Sequence, residues 1–374
     1  MNTTVPVPAI IDADPSPYNE IHAPYLIMEY MEGRTLDRVW FGEDGDESKI
    51  RETRAKILRG LARIMLQLGR YEFETGGAPI FDEDGVIIGV GTVRELDVQA
   101  MVQRWFGDED CEKAPLYAGV GPFHDAAEMY EALLDLYPSD DEANIGVDKL
   151  LRLLISFVRE PSKTRPPSEE KKRANKKKEK GFVLTHPDFS LRNIIVSEEG
   201  HIEAILGWDG TRIAPKSIGN EALPRWLTRD FNPFVWRWRP AIELWRKGGE
   251  YEVPEENRFE DAPWVQRELR SEYANTLRRK KRRRRLDIDV GVDVTRQSLL
   301  ALNLDTAARD PRCRTAILRR ILEKCSRISE EFDFNHIVEL LGSGKHLDMY
   351  KLQCLERNFR ELVDHGYVRG GAAW

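Results

Sequence analysis

Residues 181–210, GFVLTHPDFSLRNIIVSEEGHIEAILGWDG, constrain the fold of this chain more than any other stretch. Gly181–Leu184 and Asn193–Val196 are short apolar runs bounded by turn formers, which reads as two strands. Ser197-Glu198-Glu199-Gly200 is an acidic turn into a third strand, Ile202–Leu206. The hairpin formed by the second and third strands returns residues 207–209 to the neighbourhood of Asn193. Between the first two strands lies a tight polar loop carrying His186, Asp188 and Asn193.

That loop suits phosphoryl transfer, in which the protein orients an acceptor and neutralises phosphate charge, chiefly through Mg²⁺. Asp188 is suited to accept or hold the proton of an acceptor hydroxyl. Asn193, five residues on, is suited to bind the metal through its carbonyl oxygen, with a further carboxylate completing the coordination. The bland alternative for Asp188 and Asn193 is turn capping. His186 is expected to brace the loop through backbone hydrogen bonds under either reading. An HxDxxxxN string recurs by chance; strand, loop, strand, acidic turn, strand and a carboxylate before Gly210 is a far more specific sequence of features.

The rest of the chain supplies the frame. PAIIDAD, 8–14, and PYLIMEYMEG, 24–33, read as strands, with turn formers between them. Residues 48–70 are helical, with Ile50, Ile57, Leu61, Met65 and Leu68 on one stripe. Residues 79–91 form a hairpin around Asp84-Gly85. Further helices are expected at 123–137, 143–159, 264–285, 295–308, 312–331 and 347–364. PSKTRPPSEEKKRANKKKEK, 161–180, has almost nothing to bury and reads as a disordered basic insertion. Trp226, Trp236, Trp238 and Trp245 occur among prolines and arginines, a pattern that suits lobe packing better than stacking on bases. RRKKRRRR, 278–285, reads as a solvated helix end.

With 374 residues, 41% apolar and 32% charged, the chain can bury a large core. A net charge of −7 argues against a general or specific nucleic-acid binder. Cys111, Cys313, Cys325 and Cys354 show no metal-ligand spacing and read as free thiols. There is no signal-peptide pattern at Met1, and LLRLLISFV is too short to span a bilayer. A cytoplasmic protein is expected, with the basic runs 171–180 and 278–285 as the alternative argument for the nucleus.

The segment resembles the aminoglycoside phosphotransferase family of the protein-kinase-like superfamily, in the branch abundant in filamentous fungi. That family's loop is H-G-D-x-x-x-x-N, followed by a strand ending in I-D-W-E or I-D-W-D. Here the loop stands as His186-Pro187-Asp188-Phe189-Ser190-Leu191-Arg192-Asn193. The resemblance implies Asp188 as catalytic base with His186 bracing it, and Asn193 as a Mg²⁺ ligand. It extends to residues 5–36, similar to the strand pair and hinge that cradle adenine, where Met28, Glu29, Tyr30 and Met31 would offer backbone hydrogen bonds. IGNEALPRWLTRDFNP, 218–233, is similar to the tryptophan segment after the metal loop. The implied fold is α+β and protein-kinase-like: a truncated β-rich N-lobe remnant with hinge at 1–32 and a large, mainly helical C-lobe at 33–374.

Two departures qualify the implied activity. In ILGWDG the metal-binding Asp falls on Gly207, and the replacement at hand is Asp209, displaced by ~6–7 Å along an extended chain. The Gly-rich loop, the third-strand lysine and its helix glutamate should precede the hinge, yet three strands and a helix need ~30 residues. Only 24 residues precede Tyr25, with no GxGxxG among them, and the first lysine is Lys49. The expectation is a degenerate or truncated relative of ATP- and Mg²⁺-dependent small-molecule kinases, with weak or no activity. The alternatives are an active O-phosphotransferase whose metal is held by Asn193 and Asp209, and a non-catalytic binding or scaffold protein. The acceptor is a small-molecule hydroxyl. Asp135, Asp140, Asp141 and Glu142 would suit a cationic one.

Overall fold

The computed structural model describes residues 3–41, 46–106, 116–139, 141–158, 180–231, 260–283, 293–327 and 331–369. The 161–179 part of the basic insertion, Cys111, Asp140, Trp236, Trp238, Trp245 and the end of the 278–285 block lie outside the described residues.

The chain starts with an antiparallel pair, β1 (Ile10–Asp14) and β2 (Tyr25–Met28), in which Ile10 faces Met28 and Asp14 faces Tyr25. The expected strand over 24–33 is therefore shorter. One more ladder bond, from Glu29 N–H to Ala9 O, closes the pair at 2.8 Å, and the chain then turns toward β3 (Arg34–Thr35). Gly33 makes that turn possible: at φ +128° a Cβ would lie 2.6 Å from the Val196 carbonyl oxygen, an approach only glycine tolerates.

α1 (Leu36–Trp40) and α2 (Glu47–Leu68) follow. The apolar stripe of α2 is buried as the periodicity predicts, with Ile57, Leu61, Met65 and Leu68 all in the interior. Next come β4 (Glu72–Phe73) and the hairpin β5 (Ala78–Phe81) and β6 (Ile87–Gly91), turning at Asp84-Gly85 as expected. β7 (Val93–Leu96) pairs with β8 (Tyr117–Val120) across α3 (Val98–Phe106).

α4 (Ala126–Asp135) begins three residues later than its apolar pattern because Asp125 caps it, accepting from Glu128 N–H. α5 (Glu142–Phe157) is capped the same way by Asp141.

β9 (Phe182–Thr185), β10 (Ile194–Val196) and β11 (Ile202–Ile205) are the strands expected around the polar loop, and β12 (Arg212–Pro215) is an addition. They do not form one sheet. β9 lies between β12 and β4, whereas β10 lies between β11 and β3.

The helical half comprises α6 (Pro263–Arg283), α7 (Val294–Arg309), α8 (Pro311–Cys325), α9 (Phe334–Gly342) and α10 (Met349–His365). The expected helix 312–331 stops at Cys325, where Ser326 turns extended, and a separate helix starts from the Asp333 cap. Among the described residues no helix is long and apolar enough to cross a membrane.

Two hydrophobic cores result. One gathers α4, α5, α7, α8 and α10 around Tyr130, Leu154, Ile317 and Phe359, and takes in Phe182 of β9. The other joins α1, α2 and α6 with Ile194 and Val196 of β10, and takes in Trp226 and Leu227. Trp226 packs a lobe, as its proline-rich setting suggests: its ring lies 6.0 Å from Trp40 and 5.5 Å from Phe189, centroid to centroid.

Candidate active site

The polar loop runs from β9, rooted in the first core, to β10, rooted in the second. Its conformation is therefore fixed from both ends. His186 is buried and ties the loop together: Nε2–H donates to the Leu206 carbonyl at 2.7 Å, and Nδ1 accepts from Asp188 N–H at 3.1 Å. One donor and one acceptor require a neutral ring with the proton on Nε2. Burial lowers its pKa, outweighing the bond to Leu206 and the charges of Asp188 and Asp209, which act to raise it. Trp208 meets the imidazole edge-on at 4.6 Å.

Asp188 is exposed. Its Oδ2 accepts from Asn193 Nδ2 at 3.0 Å and from the Ser190 hydroxyl at 3.3 Å. Asn193 Nδ2 also donates to the Asp188 carbonyl at 2.8 Å. The amide thus spends both N–H groups on Asp188 and keeps Oδ1 as an acceptor, while Asp188 Oδ1 takes no hydrogen bond among the described residues. A short 3-10 turn, Leu191–Asn193, delivers the amide into β10. The arrangement presents a carboxylate oxygen to solvent on a rigid loop, the geometry required to hold or deprotonate a hydroxyl.

The returning hairpin ends where expected. Leu206 N–H donates to the Asn193 carbonyl at 2.7 Å, and Gly207 follows at φ +75°. A Cβ on Gly207 would lie 3.0 Å from Asn193 Nδ2 and 3.3 Å from Oδ1. Position 207 is thus in contact with the Asn193 amide and carries no side chain. Asp209 is exposed in the turn closed by Thr211 N–H to the Trp208 carbonyl, and makes no hydrogen bond or ion pair among the described residues. No group of three or more acidic, histidine or cysteine side chains among the described residues could hold a metal ion. Among the described residues Asn193 hydrogen-bonds one carboxylate, that of Asp188, and Asp209 lies exposed in the next turn; Mg²⁺ ordinarily takes one or two carboxylates from the protein.

Of the remaining predicted residues, Met28 lies on β2, Glu29 N–H is committed to Ala9, and Tyr30 is 84% exposed. The pair β1–β2 is covered by nothing else described: Ile10, Ile11, Leu26 and Ile27 are all exposed. In the acidic stretch 135–142 two of the described carboxylates have partners. Asp135 pairs with Arg152 at 2.7 Å, and Asp141 caps α5.

One feature beside the loop escaped the sequence reading. β12 pairs with β9 so that Arg212 stands opposite Thr185, the residue before His186. A cavity of about 30 Å³ opens there, bordered by Thr185, His186, Arg212, Asn220, Arg225 and Leu302. Its one advance signal is Asp305, a carboxylate inside the apolar run LLALNLDTAA of α7. It is fully buried, at 0% exposure, beneath Arg225 and Arg309.

The chain matches the sequence profile of the phosphotransferase enzyme family over residues 2–216. A search of curated proteins finds no match. Among solved structures, a thermostable mutant of aminoglycoside phosphotransferase APH(4)-Ia in ternary complex with AMP-PNP and hygromycin B aligns at 14% identity, with a TM-score of 0.33. The alignment covers 96% of this chain and 78% of that one. The apo form of a thermostable mutant of the same enzyme aligns at 12% identity and TM-score 0.33, over 96% and 79%. On the strength of the profile match, which spans more than half the sequence and contains the whole His186–Asn193 loop, the chain belongs to the phosphotransferase enzyme family and has its kinase-like α+β fold.

Proposed function

We propose that this protein is a degenerate small-molecule phosphotransferase of the fungal branch, one that keeps the acceptor-binding loop and has lost most of its metal-dependent chemistry. In this reading Asp188 is the residue that meets an acceptor hydroxyl, His186 positions it, and Asn193 is what remains of the metal site. Met28 to Met31 correspond to the hinge strand of ATP-binding relatives. The observation that carries the proposal is Gly207. It sits against the Asn193 amide where a carboxylate would complete the site, and Asp209 lies exposed two residues on. Loss of charge neutralisation at this point removes the largest contribution to the rate of phosphoryl transfer.

The test is to restore the carboxylate. Aspartate is among the few L-residues that adopt left-handed backbone, and the nearest atoms to its Cβ belong to one movable amide. Gly207→Asp is expected to strengthen Mg²⁺-dependent ATP binding at least tenfold, read as a thermal shift that appears with Mg·ATP and vanishes with EDTA. Gly207→Ala imposes the same backbone cost, about 1–2 kcal/mol, and is expected to bring no metal dependence. Should the aspartate variant bind Mg·ATP no better than the alanine variant, position 207 is not the lost ligand. Strong Mg·ATP binding by the unaltered protein would instead point to an active kinase.

A further inference from the structure

The cavity beside β9, β12 and Leu302 of α7 is bordered by Arg212 and Arg225, which share a charge cluster with Asp305, Arg309 and Glu95. Arg225 donates to Asp305 at 2.8 Å. Arg309 holds the other oxygen of Asp305 at 3.0 Å and also binds Glu95. Both carboxylates are thereby taken. Arg212 is left with Glu95 alone, at 3.8 Å and beyond hydrogen-bond distance, although only about a quarter of its side chain is exposed. Three guanidiniums face two carboxylates, so one positive charge is uncompensated among the described residues. Burial and the neighbouring Arg309 both depress the Arg212 pKa, while Asp305 and Glu95 only partly restore it. Asp305 is in the opposite condition: burial disfavours its charge, but Arg309 and Arg225 overcome that and hold its pKa far below the usual range.

A second polar group in the same wall lacks a partner. Asn220 is 4% exposed and donates Nδ2–H to the Leu184 carbonyl, but its buried Oδ1 has no hydrogen bond. The cavity therefore offers, at Arg212, a planar fork of N–H donors that makes no hydrogen bond among the described residues. Unsatisfied buried groups of this kind are costly and are ordinarily filled by a ligand or water. A guanidinium fork matches the two coplanar oxygens of a carboxylate.

We propose that this cavity binds the carboxylate of a small organic acid, gripped by Arg212 and Arg225. Resting on the phosphotransferase reading, this makes the acceptor class a hydroxy acid and not the cation that the acidic stretch at 135–142 suggested. Because Arg212 is paired in register with Thr185, the carboxylate is anchored next to the loop whose Asp188 would meet the hydroxyl.

The probes are sodium glycolate, its neutral counterpart ethylene glycol, and inorganic phosphate, added to the full chain at constant ionic strength. Glycolate is expected to raise Tm saturably by about 2 °C or more, and ethylene glycol and phosphate are not. Arg212→Gln should abolish that rise. The same variant, without ligand, should lose little stability, since Arg212 makes a single ion pair beyond hydrogen-bond distance. Arg309→Gln should be strongly destabilised. If Arg212→Gln loses as much Tm as Arg309→Gln, Arg212 is a structural ion-pair member and the proposal falls. An equal response to phosphate reduces the site to an unselective anion hole and also overturns it. Mg·ATP is titrated in parallel. A glycolate response, with Gly207→Asp binding Mg·ATP no better than Gly207→Ala, sinks the phosphotransferase reading alone; Mg·ATP binding restored by Gly207→Asp without a glycolate response in the parent sinks the carboxylate site alone.

Discussion

The loop 186–193 and the pair β1–β2 are both short, both β-flanked and both expected at a nucleotide site, but they are built by opposite means. The loop is clamped between two cores. Its histidine is buried, its asparagine spends two N–H groups on its aspartate, and Phe189 and Leu191 pack against the second core. The strand pair is held by its own ladder and by the chain leading into it, where Pro6 O accepts from Ile205 N–H and Thr4 N–H donates to Gln67. Ile10 and Ile11 are each 68% exposed. The polar loop is thus preorganised by the fold, whereas the strand pair has little packing of its own.

Substitutions should divide along the same line. The largest effect is expected for Ile194→Ala, which empties a fully buried position under the loop and should cost about 2–5 kcal/mol in chemical denaturation. His186→Ala should cost about 1–3 kcal/mol, because the Leu206 carbonyl and Asp188 N–H lose their partner. A cost below that of Ile11→Ser would break the comparison. The same histidine predicts a pH dependence. Its folded pKa lies below the unfolded value of about 6.5, so the folded state binds this proton less readily. The stability it contributes is full above pH 6.5 and is lost as pH falls from there through the lower folded value. His186→Gln should flatten that part of the curve. At the small end, Ile11→Ser should stay within about 0.5 kcal/mol, and the β1–β2 amides should exchange with solvent well before those of β9 and β10.

The loop was legible because its signals are local and agree with one another. Two apolar triplets, an acidic turn and fixed spacings predict strands that the structure contains within a residue or so. α2 was legible through its periodicity alone. What the sequence hid depends on distant partners. β12, RIAP, is four residues long and ends in proline, so only its pairing with β9 makes it a strand. α9 was hidden behind the helical pattern that runs through α8 toward 331, although Asp333 gave the cap signal. Arg212 drew no notice because its meaning comes from Asp305, 93 positions later in the chain.

The left-handed backbone at Gly207 has an evolutionary consequence. Glycine and aspartate codons can differ by a single base, and both residues accept φ near +75°. Exchange between them leaves the hairpin, the Leu206–Asn193 bond and the His186 brace in place. Under the proposed function, a lineage can therefore lose and regain the metal ligand at position 207 without reshaping the loop beside it.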